Sequence, residues 1–239
     1  MDVYRERLYD EYVETQLGGV DVDSDTRRKP YLRRLIKYLP RDHDAAILEL
    51  GCGHGSFLSM ASEAGYKYLE GVDRSIQQVQ TAIELGHKNI RRQDIMDALK
   101  EKASESVDTV VSIDVIEHFA KSEVLELVEE VYRVLKKGGQ WILHMPNAAS
   151  PFFGRVRYGD YTHEQAYTQR SIRQVLQTCG FENITCIEDR PIVHGIKSAI
   201  RWICWMSIRN LFRLVLAAEG GCGKEIFSQN MLVVAMKKQ

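Results

Sequence analysis

The sequence has no excess of charge of either sign. Lysine and arginine together number 32, aspartate and glutamate number 33, and the formal net charge is −1. Proteins that attract nucleic acid through their overall field carry a basic surplus, so we expect no nucleic-acid partner. The balance still allows a basic patch on one part of the surface.

Paired cysteines and long apolar runs are also missing. The five cysteines are scattered and none has C-x-x-C spacing, which argues against a disulfide framework and a structural zinc site. The first residues, MDVYRERLYDEYVETQ, are charged and lack the apolar stretch of a signal peptide. The chain also lacks a run of about 18 uncharged apolar residues that would indicate a transmembrane helix. We therefore expect a cytoplasmic protein.

Apolar residues make up 44% of the chain, enough for the core of one enlarged domain over residues 1–239. Short apolar runs alternate with segments of helical period, which predicts βαβ units around a parallel sheet. The predicted strands lie at 45–50, 66–73, 90–95, 107–115, 140–144, 181–188 and 230–237. The predicted helices lie at 56–63, 75–85, 122–135 and 171–179.

Three segments stand outside this alternation. Residues 1–44 are expected to form a helical segment before the first strand. Residues 148–170 have no regular period and contain Pro151 and Gly154, so we expect a functional loop that contacts the acceptor. Residues 192–220 are expected to form a helical insertion before the last strand.

A glycine-rich turn joins the first predicted strand to the first predicted helix. It reads Glu-Leu-Gly-Cys-Gly-His-Gly from Glu49 to Gly55. Glycines allow a sharp turn and a close approach of the backbone to a ligand, and the following helix presents free N–H groups. Asp73 ends the second predicted strand, where a carboxylate can accept both hydroxyls of a ribose. Together, the glycine-rich turn, Asp73 and Asp94 in the third predicted strand indicate a ligand site more strongly than the turn alone.

This set resembles the motifs of class I S-adenosylmethionine (SAM)-dependent methyltransferases, whose first motif is E-x-G-x-G-x-G. The residues 112–118 resemble the fourth-strand motif of that family, and 135–139 resemble its turn before the fifth strand. The resemblance implies a Rossmann-like, doubly wound α/β fold with a mostly parallel seven-stranded sheet and an antiparallel last strand. It also implies SAM as the cofactor and S-adenosylhomocysteine as the product. The cofactor-binding residues that it implies are Glu49, Gly51, Cys52, Gly53, Gly55, Asp73, Arg74, Asp94, Ile95 and Asp114.

Two other interpretations of the turn stay open. A nicotinamide-dependent dehydrogenase would need G-x-G-x-x-G, but Ser56 follows Gly55 and the third glycine comes one residue early. It would also need a substrate-binding domain, for which these residues leave little room. A module that binds SAM or its product without catalysis would be stabilised by the ligand but would turn over no acceptor.

The acceptor side requires a group that can take a proton from a hydroxyl during in-line methyl transfer. Ligands of such sheets bind beyond the carboxyl ends of the strands, so the candidates follow the fourth and fifth strands. His163 in the irregular loop is the first candidate for the general base, oriented by Glu164 or Asp160, because imidazole titrates near neutral pH. The alternative is that His163 only packs against neighbouring loop tyrosines.

His118, which directly follows Glu117 after the fourth strand, is the second candidate for the base. His144 lies within a predicted strand and is expected to be structural. Some small-molecule O-methyltransferases of this family carry a similar Glu-His pair that is discussed as a metal site. One glutamate and one histidine are too few ligands to indicate a metal, so we predict none.

The loop resembles that of a narrower group, the methyltransferases encoded with bacterial surface-polysaccharide (O-antigen or capsule) genes. Their R-x-R-Y-G-D-x-T-H-E-x-A-x-T pattern is matched from Arg155 to Thr168. The resemblance implies O-methylation of a sugar hydroxyl on a glycan or carbohydrate acceptor, which could be lipid-linked. Aromatic faces and charged planar groups hold carbohydrates, which gives acceptor-binding roles to Arg155, Arg157, Tyr158, Asp160 and Tyr161. The alternative is a small-molecule O-methyltransferase that acts on a quinone or phenol through His118.

Residues 194–218 are unusually apolar and carry only basic charges before Glu219. On a helix, the four basic side chains between Lys197 and Arg213 spread over nearly half of the circumference, and aliphatic side chains occupy the other half. Such a helix could lie at the inner surface of a membrane, form a dimer interface, or pack as a core helix or lid.

Overall fold

The computed structural model describes residues 7–9, 11–15, 25–220 and 225–239, with no description of the side chains of 25–29. The predicted helical segment 1–44 lies partly outside these ranges, as does Cys222. Within them, α1 (Tyr12–Thr15) and α2 (Asp25–Ile36) precede the first strand.

A seven-stranded sheet forms the centre of the described residues. In sheet order the strands are β3, β2, β1, β4, β5, β7 and β6, where β7 runs antiparallel to both β5 and β6 and the other neighbours are parallel. This arrangement confirms the predicted α/β class with its antiparallel last strand. The strands are β1 (Ala46–Leu50), β2 (Tyr68–Asp73), β3 (Ile90–Arg92), β4 (Val107–Ile113), β5 (Leu135–Pro146), β6 (Phe181–Glu188) and β7 (Asn230–Lys237).

Helices cover both faces of the sheet, and their amphipathic spacing explains where they pack. In the helix over 121–134, five valine and leucine side chains at helical spacing are buried, while the charged positions between them face outward. A short 3₁₀ helix, Ile116–His118, follows β4. The remaining helices are α3 (Ser56–Glu63), α4 (Ile76–Glu84), α5 (Ile95–Glu101), α6 (Lys121–Val134), α7 (Phe153–Arg157), α8 (Gln169–Thr178) and α9 (Ile196–Gly220).

Two hydrophobic clusters form the core, one on each face of the sheet. The pleat sends successive side chains of a strand to opposite faces, so Ile47 of β1 joins one cluster and Leu48 the other. On the α6 side, the buried indole of Trp141 donates a hydrogen bond from Nε1 to Ser112 Oγ over 3.0 Å. On the other side, Phe57 of α3 is almost fully buried.

Some predicted boundaries were wrong. Residues 135–139 were expected to form a turn, but Leu135 already pairs with Val107 and β5 extends to Pro146. The third strand ends at Arg92 rather than at Ile95, because Asp94 caps α5 through a 2.8 Å hydrogen bond from the Met96 amide to Oδ1. The predicted helical insertion contains the 25-residue helix α9. No described helix has the length and apolar character needed to cross a membrane.

Candidate active site

The glycine-rich turn at the carboxyl end of β1 needs glycine for steric reasons. Gly51 has φ +70°, and a Cβ at this position would lie 2.6 Å from Val115 Cγ2. The backbone amides of Gly51 and Cys52 both donate to the Val72 carbonyl, over 2.9 and 3.0 Å. The turn is therefore held against the end of β2, and its backbone stays open to a ligand.

Asp73 connects this turn to the end of β2. Its Oδ2 accepts a 2.8 Å hydrogen bond from the Gly53 amide, and its Oδ1 accepts one of 2.8 Å from the Ser75 amide. Burial raises the pKa of the Asp73 carboxyl above its ordinary value, and these amides oppose the shift. Each oxygen has a second lone pair, so the carboxylate can still accept a ligand hydroxyl.

A cavity of about 890 Å³ opens beside this turn at the carboxyl edge of the sheet. Its size is within the range of cofactor sites. The lining fits SAM: open glycine backbone, an acceptor carboxylate for a ribose, and apolar and acidic groups at the ends of the next strands. Seven of the predicted cofactor-binding residues line it: Gly51, Gly53, Asp73, Arg74, Asp94, Ile95 and Asp114.

Three predicted cofactor-binding residues, Glu49, Cys52 and Gly55, are not among the residues that line the cavity. The side chain of Cys52 packs in the hydrophobic cluster on the α3 side, and burial raises the pKa of its thiol. Gly55 is buried, and a Cβ there would lie 2.7 Å from Ile90 Cδ1. The packing of Cys52 and Gly55 supports the turn on its buried side. Direct contact of Glu49, Cys52 and Gly55 with the cofactor stays a prediction.

Asp114 and His144 form an ion pair at the ends of β4 and β5. His144 Nδ1 lies 2.7 Å from Asp114 Oδ1, and its Nε2 lies 3.6 Å from Asp189 Oδ2. Burial alone would lower the pKa of this imidazole, but the two carboxylates outweigh it and raise the pKa to about 10. His144 is therefore a cation at neutral pH, consistent with the expected structural role.

A chain of hydrogen bonds holds His118 at the cavity. The Thr162 hydroxyl donates to Asp160 Oδ1 over 2.6 Å, and His118 Nδ1 lies 3.0 Å from the same hydroxyl oxygen. Tyr12 donates to the second Asp160 oxygen over 2.7 Å. His118 and Tyr12 both line the cavity. Burial, and secondarily the neighbouring His163, lower the pKa of His118 to about 4, so this imidazole is neutral at pH 7.

His163 is beside His118 but is not among the residues that line the cavity. The two imidazole centroids are 4.8 Å apart with the rings at 71°. His163 Nδ1 lies 3.1 Å from the Val156 carbonyl, which can only accept a hydrogen bond, so this nitrogen carries the proton. The Glu164 side chain is exposed, and its backbone amide donates to the Glu117 carbonyl over 2.8 Å. Catalytic roles for His163 and Glu164 stay predictions.

The predicted carbohydrate contacts divide into an inner and an outer group. Asp160 is buried, and its oxygens bind Tyr12 and Thr162. Tyr158 and Tyr161 are 76% and 88% exposed on the surface of the loop. Neither Asp160 nor the outer group, which also contains Arg155 and Arg157, is among the residues that line the cavity, so all of these acceptor contacts stay predictions.

Several residues that line the cavity were not predicted from the sequence. Tyr9 and Tyr12 come from the amino-terminal segment, and the Arg74 guanidinium lies 5.4 Å from the Tyr9 ring centroid. Gln78 on α4 approaches the glycine turn and contacts His54 over 3.0 Å. The i, i+3 spacing of the two tyrosines was the available signal, since it places both rings on one side of a helix.

The described residues include one group that could hold a metal ion. The ligand atoms of Glu117, His118 and His163 lie within 4.8 Å of one another. Neither carboxylate oxygen of Glu117 has a hydrogen-bond partner in the described part of the chain. Burial and the nearby Asp114 raise the pKa of Glu117 well above its ordinary value. The expectation from the sequence that no metal binds here stays a prediction.

The sequence predicted no metal, so we expect that chelators leave turnover unchanged. Turnover measured after dialysis against EDTA should equal turnover with added Mg²⁺ or Zn²⁺, because an in-line methyl transfer from a sulfonium needs alignment of the two reactants and no metal. A loss of activity that returns on addition of one of these ions would instead assign Glu117, His118 and His163 as a metal site.

A family model described as a methyltransferase domain matches residues 24–186. The match covers well over half of the chain, so this chain belongs to the methyltransferase-domain family. Its motifs, fold and cavity are those of a SAM-dependent methyltransferase domain.

Curated relatives carry the same activity in their names. A probable SAM-dependent methyltransferase of Mycolicibacterium smegmatis is 28% identical over 155 residues, which cover 62% of this chain and 55% of the relative. The mouse tRNA (carboxymethyluridine(34)-5-O)-methyltransferase is 32% identical over 126 residues, which cover 51% of this chain and 18% of the relative. The chain thus spans about half of one relative and a fifth of the other.

The fold is shared with solved methyltransferases. A SAM-dependent methyltransferase from Archaeoglobus fulgidus superposes with a TM-score of 0.68 over 99% of this chain and 100% of that chain, at 22% identity. At this identity the similarity supports the fold, and the acceptor has to be inferred from the site.

Proposed function

We propose that this domain methylates a hydroxyl oxygen with SAM as the donor, that His118 receives the hydroxyl proton, and that the acceptor is a sugar of a glycan. The observation that carries the proposal is the position of His118, which lines the same cavity as the glycine turn and Asp73. His118 takes precedence over His163, the first candidate from the sequence, because His163 does not line that cavity.

The hydrogen-bond chain supports one tautomer of His118. Since Thr162 donates its only proton to Asp160, the hydroxyl oxygen accepts from His118, and Nδ1 carries the imidazole proton. The lone pair is then on Nε2, the nitrogen that can accept a proton. A neutral imidazole is ready for this role at pH 7 because the pKa of His118 is lowered to about 4. SAM, when bound, supplies an electrophilic methyl group on a sulfonium.

Two observations support an oxygen acceptor on a carbohydrate. The name of the mouse relative specifies methylation at an oxygen. The segment 155–168 carries the pattern resembling methyltransferases of polysaccharide gene clusters, and its exposed Tyr158 and Tyr161 offer aromatic faces that a sugar ring can stack on. Arg157 donates to the Glu164 carbonyl over 2.8 Å, which braces this part of the loop.

The test is release of S-adenosylhomocysteine from wild-type protein with a panel of acceptors. The panel contains a bacterial surface polysaccharide, nucleotide-sugars, a catechol and tRNA that carries carboxymethyluridine at position 34. Turnover on a carbohydrate supports the proposal. Turnover on the catechol alone would assign a small-molecule O-methyltransferase, and turnover on tRNA alone would assign the acceptor class of the mouse relative.

Thr162→Val should lower kcat by roughly tenfold or more and leave SAM affinity unchanged. Valine keeps the volume of the side chain but removes the hydroxyl that orients His118, which makes Thr162 a positioning residue. Thr162→Ser restores a hydroxyl and should restore most of the rate. Equal rates for the valine and serine variants would mean that Thr162 only packs in the loop.

A further inference from the structure

The long helix α9 turns a charged side chain toward the domain and aliphatic side chains toward solvent. Arg209 lies on the side that faces the body, where it is buried and its Nη1 donates to Glu188 Oε2 over 2.8 Å. Phe212 on the same side stacks on Phe227, with ring centroids 5.6 Å apart. The Arg209–Glu188 hydrogen bond and the Phe212–Phe227 ring contact therefore attach α9 to the domain.

The opposite side of α9 is apolar and faces solvent. Six aliphatic side chains on this outer face are between 54% and 83% exposed: Ile196, Ile200, Ile203, Leu211, Leu214 and Val215. At about 100° per residue they fall on one continuous stripe along the helix. An exposed stripe of this extent marks a surface that meets a partner or a membrane.

The charged residues beside the outer face indicate which kind of surface it binds. Lys197 and Arg201 are exposed along one side of the stripe, and neither has an ion-pair partner among the described residues. From residue 190 to residue 218 the chain has no acidic residue, although the net charge of the whole sequence is −1. An acidic lipid surface complements an apolar stripe whose border is basic up to Glu219 at the end of the helix. A second copy of the same face would bring no opposite charge to this border.

The position of α9 relative to the sheet fits this partner. β6 runs parallel to β5 because both are antiparallel to β7, so Glu188 lies at the carboxyl edge of the sheet, where the SAM cavity also opens. Arg209 ties α9 to Glu188 at this edge.

We propose that the outer face of α9 binds the surface of a membrane that contains acidic lipids. The aliphatic stripe enters the boundary between headgroups and acyl chains, and Lys197 and Arg201 extend to the phosphates. The helix lies along the bilayer and does not cross it. This inference is independent of the acceptor, since it depends only on α9.

The experiment is flotation of the full chain with vesicles of phosphatidylcholine alone or with about one third phosphatidylglycerol, at low and high salt. The wild type should float with the acidic vesicles at low salt. The double variant Ile200→Glu, Leu211→Glu should lower vesicle partitioning at least about tenfold, because two carboxylates cannot enter the apolar layer. Lys197→Gln with Arg201→Gln should lower partitioning on acidic vesicles only.

A matched control is Ile83→Glu with Leu125→Glu, which changes two exposed aliphatic residues on other helices and should leave flotation unchanged. Thermal stabilisation by S-adenosylhomocysteine confirms that each variant is folded. Absence of flotation in the wild type, or equal flotation of all variants, overturns the proposal. Light scattering that shows a dimer lost only in the Ile200, Leu211 variant, without flotation, would assign the face to a second copy of the chain instead.

Discussion

His118→Ala should lower kcat by roughly 100- to 10,000-fold and leave SAM affinity unchanged. Removing a positioned base costs a factor of this size when a hydroxyl must lose its proton in the transition state. The imidazole lines the cavity and is oriented by the Thr162 hydroxyl, so we expect donor binding to be independent of it. Single-turnover rates and SAM titration by calorimetry separate the two quantities.

The pH profile provides a second measurement. A base whose pKa is about 4 is unprotonated above pH 5, so kcat of the wild type should be level from pH 6 to pH 8 and fall as the pH falls toward 4. His43→Ala, which removes an exposed imidazole that stacks on Tyr66, should keep both rate and profile. If His163→Ala loses the rate and His118→Ala keeps it, the base is His163, as the loop motif first indicated.

Asp73→Ala should raise the Kd for SAM by at least roughly 100-fold. Hydrogen bonds to a charged group contribute about 1.5–3 kcal/mol each, and a ribose offers two hydroxyls to this carboxylate. The variant also removes the acceptor of the Gly53 and Ser75 amides, so the turn loses part of its support. Asp73→Asn keeps one oxygen acceptor and should give a smaller loss.

Two controls separate donor binding from folding in this experiment. Asp42→Ala removes a carboxylate that accepts the Asp44 amide over 2.9 Å, the same local pattern as Asp73 with Ser75 but away from the cavity. It should leave the Kd for SAM unchanged. An Asp73→Ala protein that unfolds cooperatively and binds SAM with wild-type affinity would remove Asp73 from the donor site.

The donor half of the site could be predicted from the sequence because its determinants are local. The turn follows directly from β1, and its glycines are required where φ is positive and Val115 approaches. Asp73 was found because it ends a recognisable strand, and Asp94 because the family resemblance places an acidic residue in the third predicted strand. The antiparallel β7 and the long helix before it were also expected, although β5 proved longer because Leu135 pairs with Val107.

The proposed preference for His118 over His163 depends on tertiary structure. His118 and the loop that carries Thr162 are far apart in sequence, and the amides of Glu164 and Gln165 dock the loop onto the Glu117 carbonyl over 2.8 and 3.0 Å. That docking turns His163 toward the Val156 carbonyl and places Thr162 on His118. Sequence spacing could not predict the contact between Thr162 and His118. The loop has no periodic pattern of apolar residues, so its sequence does not indicate which side chains face inward.

The orientation of α9 was decided in the same way. The sequence showed that basic side chains occupy one half of the helix and aliphatic side chains the other, but not which half faces the domain. Glu188 lies buried at the end of β6 and its Oε2 pairs with Arg190 and with Arg209, so Arg209 turns inward to share this buried carboxylate. The aliphatic half is thereby left in solvent. The periodicity of the sequence determined the two faces of α9. The long-range ion pair between Arg209 and Glu188 determined which face is exposed to solvent.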